Sequence, residues 1–266
     1  MIRSMHDELL KLRRPVIIYR AAGAMLGFAL LATVLTYATA TTAAATSFVG
    51  GDSLTSTVGQ LGQSGGLTRG FTIAAGFIGL LVFVLFTTSM TSEYGAGTIR
   101  VLLLKQPRRA RLLAGKLLAL LACVAAVLLA AELLSAAAAI VLAHTRGIPT
   151  ASWFSAAGLG HIAGDYANAV LVASLFGALG MTLGVLTRST PLALGIGLAW
   201  LAPLEHLIQL SWSGAGNWLP GLVFDAVAAG GNTITSYPRA LITALAYAAL
   251  ALAVGTLSFL RRDVSV

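Results

Sequence analysis

Six long apolar runs, near residues 16–38, 70–90, 113–142, 166–187, 191–211 and 239–260, limit what this chain can become. Each is long enough to cross a hydrocarbon core, which takes about 20 residues of α-helix. They are rich in Leu, Ala, Val and Gly and lack the alternating polar and apolar rhythm of membrane β-strands. In lipid every backbone amide must be satisfied internally, so these runs are read as helices. Composition agrees, since charged residues make up only 10% of the chain, against roughly 25% in soluble domains. The expected fold class is an all-α polytopic membrane protein, with six transmembrane helices in a single domain over residues 1–266.

The basic residues set the orientation. With both termini on the cytoplasmic side, 14 of the 17 Lys and Arg lie inside and only Arg69, Arg146 and Arg239 lie outside. An excess of that size is what positive-inside insertion produces. It also accounts for most of the +8 net charge, so nucleic acid is not an expected partner, whereas anionic lipid is. The first apolar run is too long for a signal peptide and has no convincing cleavage site, so it is expected to remain as the first span. The expected location is the cell membrane, a bacterial plasma membrane, crossed several times.

Two regions depart from a plain six-helix pattern. Ile2, Met5, Leu9, Leu12 and Val16 recur at helical spacing, with Asp7, Glu8, Lys11, Arg13 and Arg14 mostly on other faces. This predicts an amphipathic helix over residues 1–15, lying on the inner membrane surface, with a simple basic anchor as the alternative. The outer stretch 212–238 has Trp212 and Trp218 suited to a membrane interface. Within it, Leu219 to Ala229 read as a short or re-entrant helix ended by Gly230 and Gly231, or as an ordinary interfacial loop.

The stretch SEYGAGTIRVLLLKQPRRARLLAGK, residues 92–116, gathers six Lys and Arg between two apolar runs. Gly95 and Gly97 permit a turn after the second span, and Thr98 is a candidate N-cap for a short helix running to Lys105. Ile99, Leu102 and Leu103 would share one face of it, and Gln106 and Pro107 would end it. A partly apolar helix held in the cytoplasm needs a surface to dock on, either lipid phosphates or a protein partner.

Glu93 and Tyr94, then Gly97, Thr98, Ile99 and Arg100, then Leu103, Pro107, Arg111 and Lys116 resemble the signature of type-2 ABC transporter permeases. The basic and Ala residues between Pro107 and Arg111 depart from a Ser frequent in that family, and Gly95 to Gly97 is more flexible than usual. The resemblance implies that residues 92–112 form a cytoplasmic coupling loop whose helix sits in a groove of a separate ATP-binding cassette ATPase subunit. It implies that Glu93, Gly97, Thr98, Arg100, Pro107, Arg111 and Lys116 transmit ATP hydrolysis to the spans. It further implies two ATPase copies, with ATP and Mg bound by them, and a second permease copy as homodimer or heterodimer. Gly23 to Gly27 and Gly180 to Gly184 are GxxxG patterns that permit close helix approach.

The chain itself does not read as an enzyme. A phosphate-binding loop needs GxxxxGK followed by Ser or Thr, but Ala110 stands at the earlier Gly position before Gly115 and Lys116, and Leu117 follows. No catalytic residue and no bound cofactor is expected. The tetrapeptide GDSL at 51–54 lacks a histidine partner at hydrolase spacing. His6, His144, His161 and His206 are scattered without metal-binding spacing, and the single Cys123 excludes an internal disulfide, so no metal site is expected either.

Ionisable residues inside spans are costly, so Glu132, Glu205 and His206 are candidates for a substrate path or a cation partner, with pairing to neighbouring helices as the plainer role. Asp165 is expected to cap the fourth span, and Trp200 and Pro203 to shape the fifth. The function expected on the resemblance is that of an exporter permease for a hydrophobic or amphipathic compound, such as a drug, antibiotic or lipid-like molecule. The alternative is a proton-driven secondary transporter or channel using Glu132, Glu205 and His206 as a relay.

Overall fold

The computed structural model describes residues 16–41, 56–99, 104 and 109–261. The amphipathic helix expected over 1–15, GDSL at 51–54, and Arg100, Lys105 and Pro107 of the basic loop lie outside the described residues. The helices are α1 Val16–Ala38, α2 Val58–Leu61, α3 Arg69–Gly95, α4 Arg109–Arg146, α5 Ala156–Thr187, α6 Thr190–Ala199, α7 Glu205–Ser211, α8 Pro220–Ala228 and α9 Tyr237–Arg261. Among the described residues there is no strand, only one parallel bridge between Thr41 and Thr57.

Six helical segments are long and apolar enough to span a membrane: Tyr19–Ala38, Arg69–Gly95, Arg109–Arg146, Ala156–Thr187, Thr190–Ser211 and Tyr237–Arg261. The fifth joins α6 and α7 through a π turn at Trp200–Leu204 containing Pro203. Proline has no amide hydrogen and its ring crowds the carbonyl four residues back, so the wider turn absorbs the misfit. Pro203 therefore shapes this span, as expected, while Trp200 stands exposed at the first position of the turn. The 38 residues of α4 extend about 57 Å, well beyond a hydrocarbon core of about 30 Å.

Side-chain contacts fix how the helices run. The Arg146 guanidinium donates to the Ala38 carbonyl, joining the C-terminal ends of α1 and α4. At the opposite face, Arg109 donates to the carbonyls of Phe259 and Leu260, joining the start of α4 to the end of α9. Arg188 lies over the Tyr94 ring at 5.2 Å, joining the ends of α3 and α5 there. Arg109, Arg111, Lys116, Arg188 and Arg261 thus share one end of the bundle, called here the basic end. Arg69, Arg146 and Arg239 belong to the other, the far end.

The centre of the bundle is the pair α3 and α5. Of their apolar windows, 61% and 67% is buried, against 22% for the fifth and sixth spans. Lipid tails are as apolar as leucine, so burial alone does not hold spans together; close packing and hydrogen bonds do. A methyl on Gly180 would lie 2.6 Å from the Phe83 carbonyl, and one on Gly184 would lie 3.0 Å from Met90 Cβ. The Gly180 to Gly184 pattern therefore serves an approach within the chain, tightened by the Thr87 hydroxyl donating to the Gly180 carbonyl at 3.1 Å. Gly23 and Gly27 have nothing of the chain within 4 Å of such a methyl.

At the far end the connections build a second small core of Tyr37, Leu61, Leu67, Ala139, Ala143, Ile148 and Trp153. Trp153 Nε1 donates to the Leu61 carbonyl and the Tyr37 hydroxyl to the Gly66 carbonyl, both at 2.8 Å. The helix expected over Leu219 to Ala229 is present as α8, opened by Pro220 and ended by Gly230 and Gly231, both with positive φ. It is not an irregular loop: Leu222, Val223, Phe224, Ala226 and Val227 are buried, and Phe224 meets Phe176 of α5 edge-on at 5.1 Å. Trp212 and Trp218 stay exposed beside it.

Candidate functional site

The stretch singled out in the sequence begins where α3 ends. Ala96 caps the helix, its amide donating to the Ser92 carbonyl, and Gly97 follows at φ 66°, a conformation that costs a side-chain-bearing residue about 1 kcal/mol or more. The turn brings Ile99 into the bundle core, where it is 1% exposed. Thr98 was expected to cap the next helix. Its hydroxyl donates back to the Glu93 carbonyl at 3.3 Å, and the amides it was to cap lie outside the described residues with the body of that helix.

Glu93 and Lys116 meet. Glu93 Oε1 lies 2.6 Å from Lys116 Nζ, with side chains only 16% and 4% exposed. Lys116 also donates to the Ser89 carbonyl at 2.8 Å, so one ammonium holds both a carboxylate and a carbonyl of the last turns of α3. Removing either partner of a buried ion pair leaves the other uncompensated, at a cost of about 3–5 kcal/mol. Glu93, Gly97, Thr98 and Lys116 thus fall in one cluster at the basic end. Arg111 lies exposed near the start of α4.

The acids of the spans lie elsewhere. Glu132, on the buried face of α4, is 3% exposed and its Oε1 has no hydrogen-bond donor. The charged neighbour acting on it is Asp165 of α5. Asp165 is not a cap: α5 begins at Ala156, ten residues before the apolar run expected at 166, and Ser155 caps it by accepting the Gly158 amide. Asp165 Oδ2 instead accepts the Thr68 hydroxyl, binding α5 to the residue before α3.

Glu205 is fully buried just after the π turn, and its Oε2 accepts the Leu222 amide at 3.0 Å, capping α8 from another helix. Gly221 makes the approach possible, because a methyl there would lie 2.8 Å from that oxygen. Glu205 Oε1 closes no hydrogen bond. His206 Nδ1 lies 2.6 Å from the Ala202 carbonyl, which can only accept, so that nitrogen carries a proton. Its Nε2 faces Asp225 Oδ2 at 3.9 Å. Asp225 was missed in the sequence, although a lone acid in an otherwise apolar helical segment was the available signal. Glu132 and Glu205 belong to separate clusters, one with Asp165 and one with Asp225.

A bundle of six membrane-length helices with buried, paired charges at one end defines a multi-pass α-helical membrane protein. The family model described as "Protein of unknown function (DUF2705)" matches residues 29–265, and the chain belongs to that family. Comparison with curated proteins gives no match.

Proposed function

We propose that the chain is the membrane-spanning permease subunit of an ATP-binding cassette exporter, moving a hydrophobic or amphipathic compound across or out of the membrane. ATP and Mg would be bound by two copies of a separate ATPase subunit, and a second permease copy, identical or related, would complete the pathway. In this reading both termini face the cytoplasm, residues 1–15 lie along the inner surface, and residues 92–112 dock on the ATPase.

The observation that carries the reading is the Glu93–Lys116 pair. Those two residues open and close the stretch resembling the permease signature, and their contact ties the ends of α3 and α4 on either side of it. A force applied to the loop would reach both spans together rather than bending one against the other. Ile99, seated in the core, adds a second anchor at the same place.

The test is affinity purification from native membranes, with wild type compared with Glu93→Ala and Arg100→Ala. The expected outcome is recovery of an ATP-binding subunit whose ATP hydrolysis is coupled to transport, with coupling reduced tenfold or more in the variants. A preparation without an ATPase that still transports when given a proton gradient would overturn the reading.

A further inference from the structure

Glu132 poses a problem that its surroundings leave half solved. It sits 3% exposed on α4 with Oε1 lacking a donor, and one turn further along, Ser135 Oγ is also buried and unpartnered. Burying a carboxylate without donors inside a membrane bundle is among the costliest arrangements a chain can adopt.

Asp165 acts on Glu132 from α5, and around Asp165 stand the Thr68 and Thr72 hydroxyls, the Arg69 guanidinium and His161. Asp165 thus has donors and a guanidinium around it, whereas the charged group acting on Glu132 is Asp165 itself, of the same sign. Glu132 is the acid whose buried Oε1 lacks a donor, so a compensating positive charge belongs beside it. His161, one turn before Asp165 and exposed, leads from the pair toward the far end.

We propose that Glu132 and Asp165 form a binding site for one exchangeable small monovalent cation, a proton or a sodium ion, reached from the far end past His161. The unpartnered Ser135 Oγ supplies a further oxygen. The hard oxygen atoms of two carboxyl groups and a hydroxyl suit such an ion. A divalent metal fits less well, because among the described residues no three His, Cys, Asp or Glu side chains come together as ligands. The site does not depend on the permease reading, since it binds its ion with or without an ATPase partner.

The experiment uses the purified full chain in lipid nanodiscs, as wild type, Glu132→Gln, Asp165→Asn and Ser135→Ala. Thermal unfolding is followed with sodium chloride against choline chloride, and infrared spectra are recorded over a pH series and after transfer to D₂O. A sodium site predicts a saturable rise of several degrees with sodium and not with choline, lost in Glu132→Gln and weakened in Ser135→Ala. A proton site predicts no sodium effect and a protonated-carboxyl band that exchanges in D₂O and disappears at high pH. That band is absent in Glu132→Gln and moves in Asp165→Asn. Should Glu132→Gln not fold, Asp165→Asn carries both arms. A wild-type protein with neither a sodium effect nor a carboxyl band that exchanges and titrates overturns the proposal.

Discussion

The two ends of the bundle treat a buried acid in opposite ways. At the basic end Glu93 has Lys116 at 2.6 Å, and the ammonium is itself held by a backbone carbonyl. Toward the far end Glu132 and Glu205 are buried more deeply, yet each keeps one oxygen without a donor. A carboxylate matched by a fixed cation is a structural joint. One left unmatched inside apolar packing is stable only with something added to it, so the contrast separates Glu93, which only fastens helices, from Glu132, which can take up a ligand, with Glu205 between them as a cap that keeps one oxygen open.

The largest effect should come from breaking the matched pair. Lys116→Ala is expected to destabilise the protein by about 3–5 kcal/mol in denaturation in detergent, because it strands the Glu93 carboxylate. The double variant Glu93→Ala, Lys116→Ala should recover part of that loss, and a double-mutant cycle showing no coupling would remove the joint from the comparison. With little exposure, the pair should also respond weakly to added salt.

A smaller loss is expected for Glu205→Ala, about 1–2 kcal/mol, since α8 loses the acceptor of its Leu222 amide. Glu205→Gln keeps an oxygen for that amide and should lose less than half as much. Hydrogen exchange at Leu222 provides the check, with faster exchange in Glu205→Ala and near wild-type protection in Glu205→Gln. Equal exchange in both would mean that charge, not the cap, anchors α8.

Tyr94→Leu removes the ring beneath Arg188 and should cost about 0.5–1 kcal/mol, measurable by the same denaturation. The smallest change is expected for Glu132→Gln in the absence of sodium, within about 1 kcal/mol, because the amide matches the shape of the acid and has no charge to neutralise. If Glu132→Gln instead cost as much as Lys116→Ala, Glu132 would have a fixed partner and the two ends would be alike.

The spans were legible because length and hydropathy report directly on crossing a membrane. Which face of a span turns inward was not, since a lipid-facing Leu and a core Leu look alike in sequence. The two GxxxG patterns illustrate this: Gly180 and Gly184 touch α3, while Gly23 and Gly27 meet nothing in the chain, with the same local spelling. The start of α5 was misplaced by ten residues because its first turns are small and polar, with no apolar run to announce them, and this made Asp165 look like a cap. Glu93 and Lys116 stood out individually, but their contact spans 23 positions and depends on how the chain turns between α3 and α4. Asp225 went unnoticed because it belongs to a short helix whose burial comes wholly from tertiary packing.

The uninterrupted run of α4 links the two treatments of charge. Lys116 and Glu132 lie 16 residues apart on one helix, about 24 Å along its axis. A rod of that length pivoting through about 10° at the Lys116 end sweeps the Glu132 end through about 4 Å, more than the length of a hydrogen bond. A small tilt centred on the ion pair is thus enough to open or close the coordination of whatever rests against Glu132.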